Sequence, residues 1–142
     1  MPTRASSTVI LLDTSAAVAL VVADHEHHDI TANALRNKRL GLSGHAAFET
    51  FSVLTRLPAP ARRPPEVIAK LLETNFPESR FLSSRATQAL MKELKNGEIA
   101  GGAVYDALVG AAAREHGLVL VTHDRRALDI YRSIGVEVET LG

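Results

Sequence analysis

The chain has 142 residues, 46% of them apolar and 23% charged, a composition that fits one ordinary globular domain with enough apolar surface for a conventional core. It has no cysteine, which excludes disulfides, thiolate metal sites and cysteine nucleophiles and is compatible with a reducing cytoplasm. Its 16 basic and 16 acidic residues cancel, which argues against a protein that coats nucleic acid through net positive charge but not against an enzyme that grips a short stretch of it.

Met1 to Ser7 reads as a loose tail, and residues 8–142 as the domain. Val9-Ile-Leu-Leu12 is an aliphatic run closed by Asp13-Thr14-Ser15, the pattern of a strand buried on both faces that leads into a helix over Ala16 to Val22. The apolar stretch Val9 to Ala23 is not a membrane span, because Asp13 interrupts it and it is shorter than the roughly 20 residues a spanning helix needs. Nor does it have the flanks of a signal peptide. A second helical pattern covers His28 to Lys38, with Ile30, Ala34 and Leu35 on one side, and Arg39 to Ser43 is a short strand whose last residue caps a helix over His45 to Leu57. Pro58 ends that helix, and a proline-rich turn leads to another from about Pro65 to Asn75, broken by Pro77.

Arg80 to Ser83 is a candidate third strand, and Ser84 a cap for a helix reaching about Leu94. After a glycine-containing loop, a nearly all-apolar helix runs from Ala103 to His116 and stops at Gly117. Leu118-Val-Leu-Val121 is a second fully buried strand, Asp124 opens a helix ended by Gly135, and Val136 to Val138 is a last strand. Strands alternating with helices imply an α/β fold with a parallel sheet covered on both faces, and in such sheets ligands bind beyond the carboxyl ends of the strands.

Four acids belong to that end. Asp13 follows the first buried strand and Asp124 the second, Glu49 lies early in the helix after the Arg39 to Ser43 strand, and Asp106 sits in the first turn of the helix leading into Leu118. Converging carboxylates repel one another and resist desolvation, and a divalent cation is the natural compensation. An all-oxygen donor set selects Mg²⁺ or Mn²⁺ over zinc or copper. Such ions activate a water and neutralise charge developing on a phosphodiester. Each acid also has a plainer explanation. Asp13 and Asp124 are good N-caps, and Asp106 is favoured by a helix dipole. Glu49 falls on the polar side of its helix with Ser52 and Arg56, as a surface residue would. Capping, however, does not require two aliphatic strands each to end in aspartate at one edge, and Asp106 stands on a helix that is otherwise apolar on nearly every side.

Val9-Ile-Leu-Leu-Asp-Thr-Ser15, Phe48-Glu49, Tyr105-Asp106-Ala-Leu-Val-Gly-Ala-Ala-Ala113 and Leu118-Val-Leu-Val-Thr-His-Asp124 together resemble the PIN domain, and within it the VapC-type toxins of bacterial toxin–antitoxin pairs. Order and spacing match from Val9 to Val138. The resemblance implies a three-layer α/β/α fold with a central parallel sheet of four to five strands. It implies Asp13, Glu49, Asp106 and Asp124 as the catalytic, metal-binding acids, with the Thr14 and Thr122 hydroxyls ordering a ligating water or a carboxylate. It also implies a Mg²⁺- or Mn²⁺-dependent endoribonuclease of the cytoplasm that cuts structured RNA such as tRNA or rRNA through a metal-activated water. Proteins of this kind form homodimers and hetero-oligomers with a cognate VapB-type antitoxin, and have no membrane partner.

Other features carry less. His25 and His28 stand three apart on a helical pattern, but histidines near a loop are usually solvated, and His123 most simply fills its loop. Gly97, Gly101 and Gly102 lack the Gly-Lys-Ser/Thr ending of a phosphate loop. Arg62 and Arg63 read as a solvated tip, and Arg80, Arg85, Lys92 and Arg114 serve equally well as groove cations or as helix surface. Phe48, Phe51 and Leu54 read as core or dimer contacts. The alternatives to a nuclease are a metal-dependent phosphatase and a phospho-accepting receiver-type binding module. The second would need a lysine after a late strand, where this chain has Thr122-His123-Asp124.

Overall fold

The computed structural model describes residues 8–141, so the stretch Met1 to Ser7 lies outside the described residues. In chain order the elements are β1 (Val9–Leu12), α1 (Thr14–Val21), α2 (His28–Ala34), β2 (Arg39–Leu42), α3 (Ala46–Thr55), α4 (Pro65–Asn75), α5 (Ser84–Asn96), α6 (Ala103–His116), β3 (Val119–Thr122), a 3-10 turn (Arg125–Ala127), α7 (Leu128–Ser133) and β4 (Val138–Thr140). The four strands form one parallel sheet in the order β2-β1-β3-β4, with Leu12 beside both Leu42 and Val121. Among the described residues no helix is long and apolar enough to cross a membrane.

The aliphatic runs are continuous because the sheet is buried on both faces. Leu11 and Leu120 point into one core, with Ala107, Val109, Ala111 and Tyr131. Ile10, Leu12 and Val121 point into the other, with Ala16, Ala17, Leu35 and Phe76. Alternate residues of one strand therefore serve opposite layers, so the strand reads as apolar without alternation.

Several boundaries differ from the sequence expectation for local reasons. Arg80 to Ser83 is not a strand: the chain makes a single parallel bridge, Ser43 with Arg80, as it passes the β2 edge. Its backbone still donates to that edge, Glu78 N to Leu40 O at 3.0 Å and Arg80 N to Leu42 O at 3.1 Å. Gly41 permits the approach, since a Cβ there would lie 2.2 Å from the Glu78 carbonyl oxygen. Ser43 does not cap α3; its hydroxyl donates to Val109 O of α6 at 2.6 Å. Ser83 rather than Ser84 caps α5. The last strand starts at Val138, two residues late, because Val136 packs in the core and its N–H bonds to Tyr131 O at 3.0 Å.

Successive connections leave β1 toward β2 on one side, while β3 lies on the other. The strand order thus reverses between β1 and β3, and a crevice opens at their carboxyl ends. Asp13 and Asp124 flank this crevice.

Candidate active site

Asp13 is placed by both neighbouring elements. Its N–H continues the sheet ladder to Val121 O at 3.2 Å, and its carbonyl accepts the Ala17 N–H as α1 begins. The side chain is buried, 4% exposed, and accepts four hydrogen bonds. Oδ1 takes the Ser15 hydroxyl at 2.7 Å and the Ala16 N–H at 3.1 Å. Oδ2 takes the Tyr131 hydroxyl at 2.9 Å and the Thr122 hydroxyl. N-capping is therefore real at Asp13, as its plainer reading holds, but it occupies only one oxygen.

The other acids face the same space. Asp13, Glu49, Asp106 and Asp124 line one polar cavity of about 270 Å³ with Thr14, Ser15, Val109 and Tyr131. Glu49 is turned inward from α3 and accepts the Thr14 hydroxyl at 3.1 Å. Asp124 caps the 3-10 turn through Arg126 N at 3.0 Å, and the exposed Arg126 side chain brings its Nε to 3.5 Å from the same carboxylate. The Asp106 carboxyl is held above the usual carboxylate range, first by burial and then by the charges of Asp124, Glu49 and Asp13, with Arg126 offsetting part of this. Burial, and then the charges of Asp13, Asp106 and Asp124, push the Tyr131 hydroxyl far above its ordinary range, so it stays protonated and a donor.

All four acids named from the sequence thus share one cavity, with Thr14 beside them. Thr122 lies behind the cavity wall, where its hydroxyl donates to Asp13 and accepts the Asp124 N–H at 2.9 Å. Both threonines engage a carboxylate directly. Two partners were missed. Ser15 donates to Asp13, accepts the His123 N–H at 2.9 Å and lies 3.3 Å from the Thr122 hydroxyl. Its place two residues after Asp13 was the available signal. Tyr131, 118 residues from Asp13 in sequence, gave none.

The remaining polar features settle into supporting roles. His123 stacks on His27, with ring centroids 4.8 Å apart, and pairs with the Thr31 hydroxyl at 2.7 Å, tying the end of β3 to α2. Burial pushes its pKa down, and His27 adds to that. Arg114 forms a two-pronged pair with Glu93, and Arg80 pairs with Glu78. Arg62 and Arg63 donate to carbonyls of their own loop. Leu54 is buried, whereas Phe48 is 66% exposed and faces Phe81 across the surface.

Charge and donor type fit a hard divalent cation, since four carboxylates border one cavity and one of them is raised by burial and by the other three. Among the described residues, no three Asp, Glu or His side chains are placed so as to hold an ion between them as they stand. What the acids share is the cavity and their mutual repulsion.

Comparison with known proteins gives the family and the fold. The family model for the PIN domain matches residues 10–133. Ribonuclease VapC27 of Mycobacterium tuberculosis is 46% identical over 129 residues, covering 91% of this chain and 94% of the relative. The crystal structure of Mycobacterium tuberculosis VapC20, described as a sarcin-ricin loop cleaving toxin, superposes with a TM-score of 0.67 at 21% identity, covering 89% of this chain and 95% of that one. The structure of VapBC2 from Rickettsia felis, bound to a DNA fragment from its promoter, gives 0.66 at 17% identity, covering 94% and 98%. The two structural matches speak for a shared fold.

Proposed function

The chain belongs to the PIN-domain family, and on that premise we propose that it is a Mg²⁺- or Mn²⁺-dependent endoribonuclease, the toxin of a toxin–antitoxin pair. The observation that carries this reading is the polar cavity that Asp13, Glu49, Asp106 and Asp124 border together at the carboxyl ends of β1 and β3. The similarity to a protein named as a ribonuclease over 91% of the chain supports it. A VapB-type antitoxin and a second copy of the chain are its proposed protein partners, and structured RNA its proposed substrate.

Asp13, Glu49, Asp106 and Asp124 would hold the cation. When bound, it supplies activation of water and neutralisation of the charge that develops on the phosphate. The protein's own contribution is order and polarity. Asp13 is fixed by four donors, and Glu49 is steadied by Thr14. Asp106 faces these acids across the cavity, and burial and their charges hold its carboxyl above the usual range as long as no cation offsets them. The expected products are a 5′-phosphate and a 3′-hydroxyl, as the resemblance to VapC-type toxins implies.

Incubation of the protein with end-labelled structured RNA tests the reading. Internal cleavage that requires Mg²⁺ or Mn²⁺ and stops with chelator is the expected result. Cleavage indifferent to chelator would overturn it. So would phosphate release from small esters with the RNA left whole, which would indicate a phosphatase.

A further inference from the structure

The two oxygens of the Asp13 carboxylate are held in different ways. Oδ1 is held locally, by Ser15 and the Ala16 N–H in the first turn of α1. Oδ2 is held only from the far end of the chain, by Thr122 at the end of β3 and Tyr131 on α7. Any helix begun by an aspartate can satisfy the first oxygen. The second has both of its donors only once α7 has packed.

Tyr131 is 1% exposed, and its ring sits in the core with Val109, Ala111, Leu120 and Val136. A phenylalanine would supply the same apolar ring without a hydroxyl to satisfy, and a buried tyrosine is retained where its oxygen has a partner. Here that partner is Asp13, and the ring also borders the cavity of the four acids. The opposing helix makes room for it. Gly110 stands in the middle of α6, where glycine is unfavourable relative to alanine. A Cβ there would come to 3.0 Å from Tyr131 Cδ1 and 3.0 Å from Val136 Cγ2. A small residue in an otherwise alanine-rich stretch thus matches the seat of the tyrosine ring.

We propose that Tyr131 is a positioning residue of the nuclease site: its hydroxyl fixes Oδ2 of Asp13 in the orientation that cation binding requires, and it acts through Asp13 without touching RNA. The inference rests on the metal-dependent nuclease reading above. It ties assembly of the site to docking of the C-terminal α7, because the carboxylate is fully oriented only when that helix is in place.

Tyr131→Phe removes one oxygen and keeps the ring. Mn²⁺ titrations of the full chain by calorimetry, run well below the melting temperature, should show affinity about tenfold weaker than wild type, the usual scale for losing a partner of a ligating carboxylate. Single-turnover cleavage at fixed subsaturating Mn²⁺ should slow by a similar factor, with the KM for RNA within about twofold of wild type. Thr122→Val removes the other donor to the same oxygen and should give the same signature, which keeps the test open if Tyr131→Phe folds poorly. Wild-type Mn²⁺ affinity in folded Tyr131→Phe, or in Thr122→Val where Tyr131→Phe does not fold, would overturn the positioning role while leaving the nuclease reading intact. Wild-type protein that neither binds Mn²⁺ nor cuts RNA would overturn the nuclease reading, and the positioning role with it.

Discussion

Two carboxylates border the same cavity and are treated in opposite ways. Asp13 is buried and surrounded by donors from Ser15, Ala16, Thr122 and Tyr131. Asp106, on the facing helix α6, is shaped by burial and by three neighbouring acids, with Arg126 as the one cation acting on it. Asp13 is thus part of the fold's own hydrogen bonding, and removing it strands its donors. Asp106 strains the fold in order to serve the site. Identical side chains in one crevice can therefore differ in what they do for stability while sharing a role in chemistry.

The largest break in that comparison comes at Asp13. Asp13→Ala leaves two buried hydroxyl groups and a helix N–H without their acceptor, and should cost about 3 kcal/mol, a fall in Tm of roughly 10 °C. RNA cleavage should drop at least about a hundredfold, the scale of losing one preorganised electrostatic group. Differential scanning calorimetry and a cleavage assay measure the two effects.

Asp106→Asn should abolish cleavage to a similar degree and yet stabilise the metal-free protein. The folded-state pKa of Asp106 lies above its ordinary value of 3.8, so the folded protein binds this proton more tightly than the unfolded chain. Stability contributed by the protonated form is therefore lost as pH rises through that raised pKa, and ionised Asp106 is a cost at neutral pH. The substitution should add about 1 kcal/mol at pH 7 in chelator, the upper scale for partly solvated charges, and the gain should vanish as pH falls to about 3. Thermal melts across that range check the sign. Mg²⁺ should raise the Tm of the wild type more than that of the variant.

The smallest effect sharpens the contrast from outside the cavity. Thr50 follows Glu49 in sequence but belongs to the buried face of α3 with Ala46 and Leu54, and among the described residues its hydroxyl has no partner. Thr50→Val should stabilise by about 0.5 kcal/mol in a denaturant melt and leave cleavage unchanged.

Much of this was readable along the chain. The α6 boundaries match the sequence expectation at both ends, since a run of alanines closed by Gly117 leaves little choice. The aliphatic strands β1 and β3 were marked by continuous burial, and the acids that follow them by their position at strand ends. Glu49 was harder to read. Its place on the polar side of α3 looks like a surface residue, and what distinguishes it from one is tertiary: the Thr14 hydroxyl and the other acids across the cavity. The stretch Arg80 to Ser83 has strand-like composition, but the edge it meets admits one bridge, a matter of chain path that periodicity does not record.

Local pattern determined the α/β alternation, the parallel sheet and the two aspartates, Asp13 and Asp124, that end its buried strands, because period, caps and strand termini are written in neighbouring residues. Tertiary packing alone decided that Tyr131 and Thr122 close on one oxygen of Asp13 across 118 and 109 residues, and that Asp106 stands among like charges. Those relations arise where α6, α7 and the sheet meet, and distances between elements have no signature in the spacing of residues along any one of them.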